Sequence, residues 1–403
     1  MVCEPARVIL FLHHRYRTLG GEERVVDDQR WLVREHLGEE AELLTRDSAA
    51  LGAGRATAGL LAGGLAPSEV AAAVRRTGAR VVHAHNLLPT LGWRALAAAR
   101  GAGARVVLQL HNFRVVCAVG TCFTAGADCM RCHGRDTRPG VRHRCRGSGA
   151  EAAIYAAGLS LWQRRLLLQA DTVVVPSGAA LQRLRALGAP LGDDVRVVPH
   201  VVRAFAQGST AARGEHVLVA SRLAPEKGVA VAVRACAAAG LPLVVAGDGP
   251  LAGELHGLVA GGSADGVAGE LRGLVADVPV RFAGRVAPDE LAVLRARAAV
   301  AVVPSLSAET FGLAAAEAMA AGVPVVASAI GALPDLVDEP GLVAPGDPAA
   351  LAGALERRWG DEEAGRAGLA RVRALCAPEA VAARLAEVYA GVVSPRSSAP
   401  FRP

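Results

Sequence analysis

Nine short aliphatic runs recur along the chain, each about as long as a β-strand. Ala/Leu/Arg-rich stretches of helical length separate them. "RVILFL" near residue 7, "RVVHAH" near 80, "ARVVLQLHN" near 104 and "DTVVVPS" near 171 form a first series. "HVLVASR" at 216, "LPLVVAGDGP" at 241, "VPVRFAGRV" at 278, "VAVVPS" at 300 and "VPVVAS" at 323 form a second. The runs are continuously apolar instead of alternating, so each strand must be covered on both faces. Strands of that kind, interleaved with helices, specify parallel sheets in an α/β fold. No fixed-length repeat links the two series.

Two series need two cores, and 403 residues are enough for both. Between them lies "VVPHVVRAFAQGSTAARGE" (197–215), which joins Pro199 to a polar Gly/Ser/Thr stretch and reads as a linker. In open parallel sheets ligands sit beyond the carboxyl ends of the strands. Functional residues are therefore expected in the loops that leave the strands, facing a cleft between the domains.

Composition excludes some classes. Hydrophobic residues make up 52 % and charged residues 20 %, as in a folded globular chain. Aromatics are 3 %, too few to favour stacking on nucleic-acid bases. No apolar run reaches the roughly 18 residues of a membrane span. "MVCEPARVILFLHH" reads as a first buried strand and not as a signal peptide, so a cytoplasmic setting is expected. Of 44 basic residues only Lys227 is a lysine. A lysine is a compact point charge where arginine is a planar fork, so its position in the chain invites a functional reading.

Lys227 falls in "SRLAPEKG", just after a strand. Arg222 and Lys227 at a strand-to-helix turn suit a diphosphate, because charge-assisted hydrogen bonds contribute about 1.5–3 kcal/mol each, and a helix N-terminus adds backbone donors. The alternative is an ordinary basic loop. "AGDGP" places Gly247 and Gly249 after the next strand, where the backbone either approaches a ligand or simply turns tightly. In "SLSAETFGLAAAEAMAAGVPVV" Glu309 precedes a helix that begins near Phe311-Gly312, and Glu317 lies about two turns further on. A carboxylate beside the amides of Phe311, Gly312 and Leu313 suits a polyhydroxyl ligand: the acid accepts from hydroxyls and the amides donate. A helix cap for Glu309 and a structural ion pair for Glu317 are the bland alternatives.

Together, "SRLAPEKG", "AGDGP", "FAGRV", "ETFGLAAAEAMAAGVPVVAS" with its E-x7-E spacing, and "LVAPGDPAAL" resemble glycosyltransferase family 4, the retaining GT-B nucleotide-sugar transferases. The resemblance implies two Rossmann-like parallel-sheet domains facing each other across a cleft. It assigns residues 1–200 to an acceptor-side domain, 201–214 to a linker and 215–376 to a nucleotide-sugar-binding domain. It also implies that a helix at 377–392 packs back on the N-terminal domain, ahead of a disordered tail, 393–403. By the same resemblance Arg222 and Lys227 hold the diphosphate as it leaves, Glu309 binds the donor sugar, the amides at 311–313 support it, and Glu317 binds the ribose. Transfer proceeds with retention and demands no side-chain nucleophile. No strand-end Asp-x-Asp is present, so no catalytic metal is implied. Asp335 stands where the family has glutamate, and Pro199-His200 where Pro-Asn is common.

In the first domain "TLGGEERVV" (18–26) follows the first strand. The family likeness places such a glycine pair, Gly20 and Gly21, against the donor phosphate and the acceptor, where glycine lets the backbone come close, with Glu22 starting a helix; a pure turn is the alternative. His85-Asn86 and His111-Asn112 end two strands. The family likeness places His111 by the donor sugar near the reacting centre. His85, Asn86 and Asn112 are expected on the acceptor side.

Five of eight cysteines lie in a loop, 117–146. "CMRC" and its neighbours suggest a structural zinc held by Cys117, Cys129, Cys132 and Cys145, with His133, His143 and Cys122 as rivals. Unliganded thiols or a redox pair are the alternatives. The loop's arginines suit an anionic or lipid-linked acceptor, or a membrane surface; a solvated basic loop is the plainer reading. A sugar- or nucleotide-binding protein without turnover is the rival function. A nicotinamide oxidoreductase is disfavoured because no GxGxxG follows an early strand.

Overall fold

In a computed structural model that describes residues 7–16, 20–259, 271 and 278–393, the chain forms two compact units. Unit 1 comprises Met1–Cys122, Met130–Val201 and Pro378–Pro403; unit 2 comprises Phe123–Cys129 and Val202–Ala377. The short segment 123–129 thus groups with unit 2, apart from the rest of the cysteine-rich loop. The expected tail lies outside the described residues from 394 onward, as do Thr18 and Leu19 of the glycine-pair motif.

Unit 1 is built on strands β1 (Val8–Arg15), β2 (Glu40–Asp47), β3 (Val81–Ala84), β4 (Arg105–Gln109), β7 (Thr172–Val175) and β8 (Val195–Val197), all parallel, in the order β2-β1-β3-β4-β7-β8. The central strands β3 and β7 are buried at every position, as continuous aliphatic runs require. The edge strands differ. β2 reads EAELLTRD with mixed burial, and β8 is only three residues long.

One face of this sheet packs Ile9, Phe11, Val81, Val107 and Val174 against Val381, Leu385, Val388, Tyr389 and Val392 of the helix Pro378–Val393. That helix belongs to unit 1 although the chain reaches it only after completing unit 2.

Unit 2 repeats the scheme with β9 (His216–Ala220), β10 (Leu243–Ala246), β11 (Val280–Gly284), β12 (Ala298–Val303), β13 (Val325–Ser328) and β14 (Leu342–Val343), in the order β11-β10-β9-β12-β13-β14. Alternate residues face opposite sides of a strand. Val217 and Val219 of β9 accordingly enter one core with Val245, Val300 and Val302, while Leu218 enters another with Val244, Ala301 and Met319. Two apolar faces explain why the strands carry no polar alternation. Between β4 and β7 a two-stranded antiparallel hairpin, β5 (Phe123–Thr124) and β6 (Ala127–Asp128), interrupts the cysteine-rich loop.

The helix Pro348–Arg358 shows how local chemistry sets a boundary. Asp347 accepts from the amides of Ala349 and Ala350 at 3.0 and 2.9 Å, and proline occupies the first turn, where its missing N–H has no consequence. Among the described residues no single helix is long and apolar enough to cross a membrane.

Candidate active site

In unit 2 the loops leaving β9 and β12 are stitched together. Past β9 the chain makes a 3-10 turn, Pro225–Lys227, and reverses at Gly228 with φ +65°. A Cβ on Gly228 would run into the carbonyl of Pro304, so only glycine lets the two loops come this close. Leu306 then donates its N–H to the Glu226 carbonyl at 2.8 Å.

This contact delivers Lys227 to Glu309. Lys227 Nζ donates to Glu309 Oε1 at 2.6 Å, and Ser305 Oγ donates to the same oxygen at 2.6 Å. Burial pushes the Glu309 carboxyl upward, but the Lys227 cation, the Lys227 and Ser305 hydrogen bonds and the field of Arg222 outweigh it and hold it below its ordinary 4.5. Arg222 is ion-paired with Glu226 one turn on, while its own side chain is 46 % exposed. Past β12, Gly312 (φ +89°) caps the helix Leu313–Ala320 without a side-chain partner. The first amides of a helix have no intrahelical acceptor, so this end points donors out of the loop that carries Glu309.

Gly247 and Gly249 do something narrower than the sequence suggested. A Cβ on Gly247 would strike the Ser221 carbonyl, and one on Gly249 would sit 2.5 Å from the Leu223 carbonyl. The pair lets the exits of β9 and β10 pack backbone against backbone, reinforced by Leu223 N–H donating to Asp248 O at 2.9 Å. Glu317 is buried and ion-paired with Arg295 of the helix Pro288–Ala296. Arg295 was not foreseen. The only signal was that a carboxylate on a small-residue helix needs a cation.

In unit 1 five histidines gather at the strand ends. His83 stacks on His85 (ring centroids 4.5 Å apart), His85 on His111 (5.1 Å) and His111 on His200 (5.7 Å), with His13 edge-on to His85. His85 Nδ1 meets His111 Nε2 at 2.8 Å, and His83 Nδ1 meets the Tyr389 hydroxyl at 2.8 Å. Burial, followed by mutual repulsion of the imidazoles, pushes His83, His111 and His200 down to about 3, and His85 well below its usual value. His83, His85, His111 and His200 are therefore neutral in the physiological range and act through hydrogen bonds, not charge.

Two expectations change here. His85 is 3 % exposed and lies behind His111, so it supports that ring instead of lining an open surface. Asn86 spends its amide on the backbone: Nδ2 donates to the His14 carbonyl at 2.6 Å, and Oδ1 accepts from Leu88 N–H at 3.2 Å. It fixes a turn.

Asn112 does join a polar network. Its Nδ2 donates to the Tyr16 hydroxyl and to Glu22 Oε2, both at 3.2 Å, Tyr16 donates to Glu22 at 3.0 Å, and the Arg114 guanidinium lies 4.7 Å over the Tyr16 ring. Burial raises the Glu22 carboxyl despite the opposing pull of His13 and Arg114. Gly20 is extended (φ −140°), a conformation open to any residue; its N–H donates to Glu23 Oε2 at 2.8 Å and starts the helix Gly21–Leu37. Tyr16, Arg114 and His13 carry no sequence signal of their own and acquire Asn112, the Tyr16 ring and His85 as neighbours only in the fold; His200, marked in the sequence only as a departure from Pro-Asn, stacks on His111.

The cysteines do not form the expected cage. Among the described residues no three His, Cys, Asp or Glu side chains converge in a metal-holding arrangement. Cys117 instead accepts from the Cys122 thiol, and next, against the opposing effect of burial, from backbone amides including those of Gly120 and Val119, which pushes it down to about 6. His133 is packed against Gly188, and His143 is exposed.

Comparison with known proteins agrees with this architecture. Residues 6–200 match the family described as "Glycosyl transferase 4-like domain", and residues 214–361 match "Glycosyl transferases group 1". A D-inositol 3-phosphate glycosyltransferase of Acidothermus cellulolyticus is 36 % identical over 209 residues, 47 % of this chain and 45 % of the relative. A GDP-mannose-dependent alpha-(1-6)-phosphatidylinositol dimannoside mannosyltransferase of Mycobacterium tuberculosis is 33 % identical over 243 residues, 56 % of this chain and 59 % of the relative. The chain thus spans about half the length of the curated relatives it matches. Among solved structures, sucrose-phosphate synthase from Thermosynechococcus elongatus superposes with a TM-score of 0.67 at 22 % identity, over 96 % of this chain and 98 % of that one. Anabaena HepE in complex with UDP-glucose gives 0.61 at 18 %, over 95 % and 99 %. At these identities the structural likeness establishes fold. With both halves matched in sequence, the chain belongs to the family-4-like glycosyltransferases and has their GT-B fold.

Proposed function

We propose that the protein transfers a hexose-type sugar from a nucleotide-diphosphate sugar to an acceptor hydroxyl, with retention at the anomeric carbon. The observation that carries this reading is the Lys227–Glu309–Ser305 cluster beside a helix N-terminus, with Arg222 exposed in the same group of loops. A carboxylate held ionised by a lysine accepts from sugar hydroxyls. The lysine in turn faces the oxygens of a leaving diphosphate.

In the proposed step the bond from the anomeric carbon to the phosphate oxygen breaks and the acceptor oxygen attacks from the same face. The acceptor proton passes to the departing phosphate. Lys227, Arg222 and the amides at 311–313 stabilise the charge that develops, a term that reaches about 3–4 kcal/mol per donor. Glu317, oriented by Arg295, binds the ribose. In unit 1 His111 contacts the donor sugar as a neutral imidazole aligned by His85, and Asn112 lies towards the acceptor. The relatives named above are described as acting on inositol phosphate and phosphatidylinositol dimannoside; an anionic or lipid-linked acceptor, met by a cytoplasmic enzyme at a membrane surface, is the corresponding reading here.

The test is thermal stabilisation by UDP, GDP, ADP and TDP, with and without their sugars, followed by product detection for the stabilising donor. Stabilisation by one nucleotide with turnover supports the assignment. Stabilisation without turnover across acceptors would leave a sugar-nucleotide-binding protein on the same fold.

A further inference from the structure

The helix Gly149–Leu168 breaks the usual rule for a surface helix. Its outward stripe should be polar, yet beyond the first turn, which exposes Ala150 and Glu151, the exposed positions are Ala153, Ala157, Leu161, Arg164, Arg165 and Leu168. Leu161 is 49 % exposed and Leu168 62 %. The spacing of 161, 164, 165 and 168 sets all four on one face. Leu61, 43 % exposed on the packed helix Ala53–Ala62, adjoins them, because Trp162 Nε1 donates to the Leu61 carbonyl at 3.0 Å. The Arg165 guanidinium lies 5.2 Å over the Trp162 ring and 5.4 Å over that of Trp93.

The charge on these helices is mainly basic. The helices Ala53–Ala62, Gly92–Gly101 and Gly149–Leu168 carry Arg55, Arg94, Arg100, Arg164 and Arg165 against one carboxylate of their own, Glu151, which is paired with Arg146; Arg100 is itself paired with Asp171, so the basic excess rests on Arg55, Arg94, Arg164 and Arg165. Exposed leucines interleaved with arginines, over an indole pair, fit an interface that is apolar a few ångströms in and anionic at its rim. Leucines enter the hydrocarbon boundary, arginine stems lie along it with their heads at the phosphates, and indoles favour the boundary itself.

We propose that this face, centred on Leu161, Trp162, Arg164, Arg165, Leu168 and Leu61, docks unit 1 on an anionic lipid surface. It uses other residues than the cysteine-loop arginines, of which Arg138 and Arg146 are engaged with Asp136 and Glu151. It stands independently of the donor-site reading, since nucleotide binding is measured without lipid.

The experiment is flotation of the full chain with vesicles of phosphatidylcholine alone and with about 30 % phosphatidylglycerol, at low and high salt. Binding is expected only to the anionic vesicles and is expected to weaken as salt rises. Each arginine near such a surface contributes about fivefold, so Arg164→Ala with Arg165→Ala should weaken partition about thirtyfold. Leu161→Ser with Leu168→Ser should weaken it about tenfold or more. Leu161 and Leu168 are exposed, so that pair should melt like the parent; Arg165 also lies over two indoles, so partition of the arginine pair is measured at a temperature where circular dichroism shows it folded. The unaltered chain's lipid and salt dependence tests the proposal even where a variant folds poorly. No binding to either vesicle, equal binding to both, or parent-like binding by folded variants would overturn it. A dimer that dissolves in the Leu161/Leu168 variant would give the face to a second copy and overturn it too.

Discussion

Replacing Lys227 by methionine removes the cation that donates to Glu309 and keeps most of the side-chain volume. At 2.6 Å and an effective dielectric near 20, the gross attraction is about 6 kcal/mol. Desolvation of two partly buried groups offsets most of that: the Lys227 side chain is 27 % exposed and Glu309 17 %. The net contribution left for a charge-assisted hydrogen bond is about 2 kcal/mol. Unit 2 should then melt about 4–8 °C lower, and the Glu309 carboxyl should rise as burial is left opposed by the Ser305 hydrogen bond and the field of Arg222 without Lys227. Turnover should fall about a hundredfold to a thousandfold, the cost of one donor to a developing anion. Glu309→Gln keeps an acceptor for Lys227 and Ser305 but removes the charge. The double variant should lose less than the sum of the singles, with a coupling of about 1–2 kcal/mol. Calorimetric melting of the four proteins and initial rates of product formation measure both effects. Turnover within tenfold of the parent in Lys227→Met, or strict additivity of the two stability losses, would refute the argument that this pair forms the site.

Three further outcomes are expected. His83, His111 and His200 stay neutral down to about 3 when folded but protonate near 6.5 when unfolded. The unfolded chain therefore binds more protons below pH 6.5, and each residue contributes stability that is complete above 6.5 and lost at about 1.4 kcal/mol per pH unit as pH falls towards 3. Three such residues amount to about 4 kcal/mol per unit, so unit 1 should unfold at mildly acid pH; fluorescence of a Trp359→Phe variant, which leaves Trp31, Trp93 and Trp162 in unit 1, reads this directly. Gly228→Ala drives a Cβ into the Pro304 carbonyl at a left-handed φ, and should destabilise unit 2 by about 3 kcal/mol in urea titrations. Arg295→Met strands the buried Glu317 carboxylate and should cost about 3–5 kcal/mol; a melting temperature unchanged from the parent would show that the pair is dispensable.

The α/β class, the two parallel sheets and the donor-side loops were legible in the sequence because each depends on local pattern. A strand buried on both faces must be apolar throughout, and a strand-exit loop must carry its glycine, lysine or glutamate in fixed order. The strands that the pattern missed are the edges, β2 with its EAELLTRD alternation and β8 and β14 with three and two residues, where one side has no neighbour and the apolar signal fades.

What the chain could not declare was partnership across distance. Arg295 with Glu317, Tyr16 with Asn112, and His85 behind His111 are pairs 22 to 96 residues apart, and no spacing rule joins them. The cysteines show the converse. "CMRC" has the spacing of a metal site, yet the fold gives the Cys117 sulfur to Cys122 and to backbone amides. Residue type and order determine which chemistry is available at each strand end. Only packing decides which groups approach closely enough to use it, because hydrogen bonds and ion pairs form over a few ångströms while the sequence records only the order of residues along the chain.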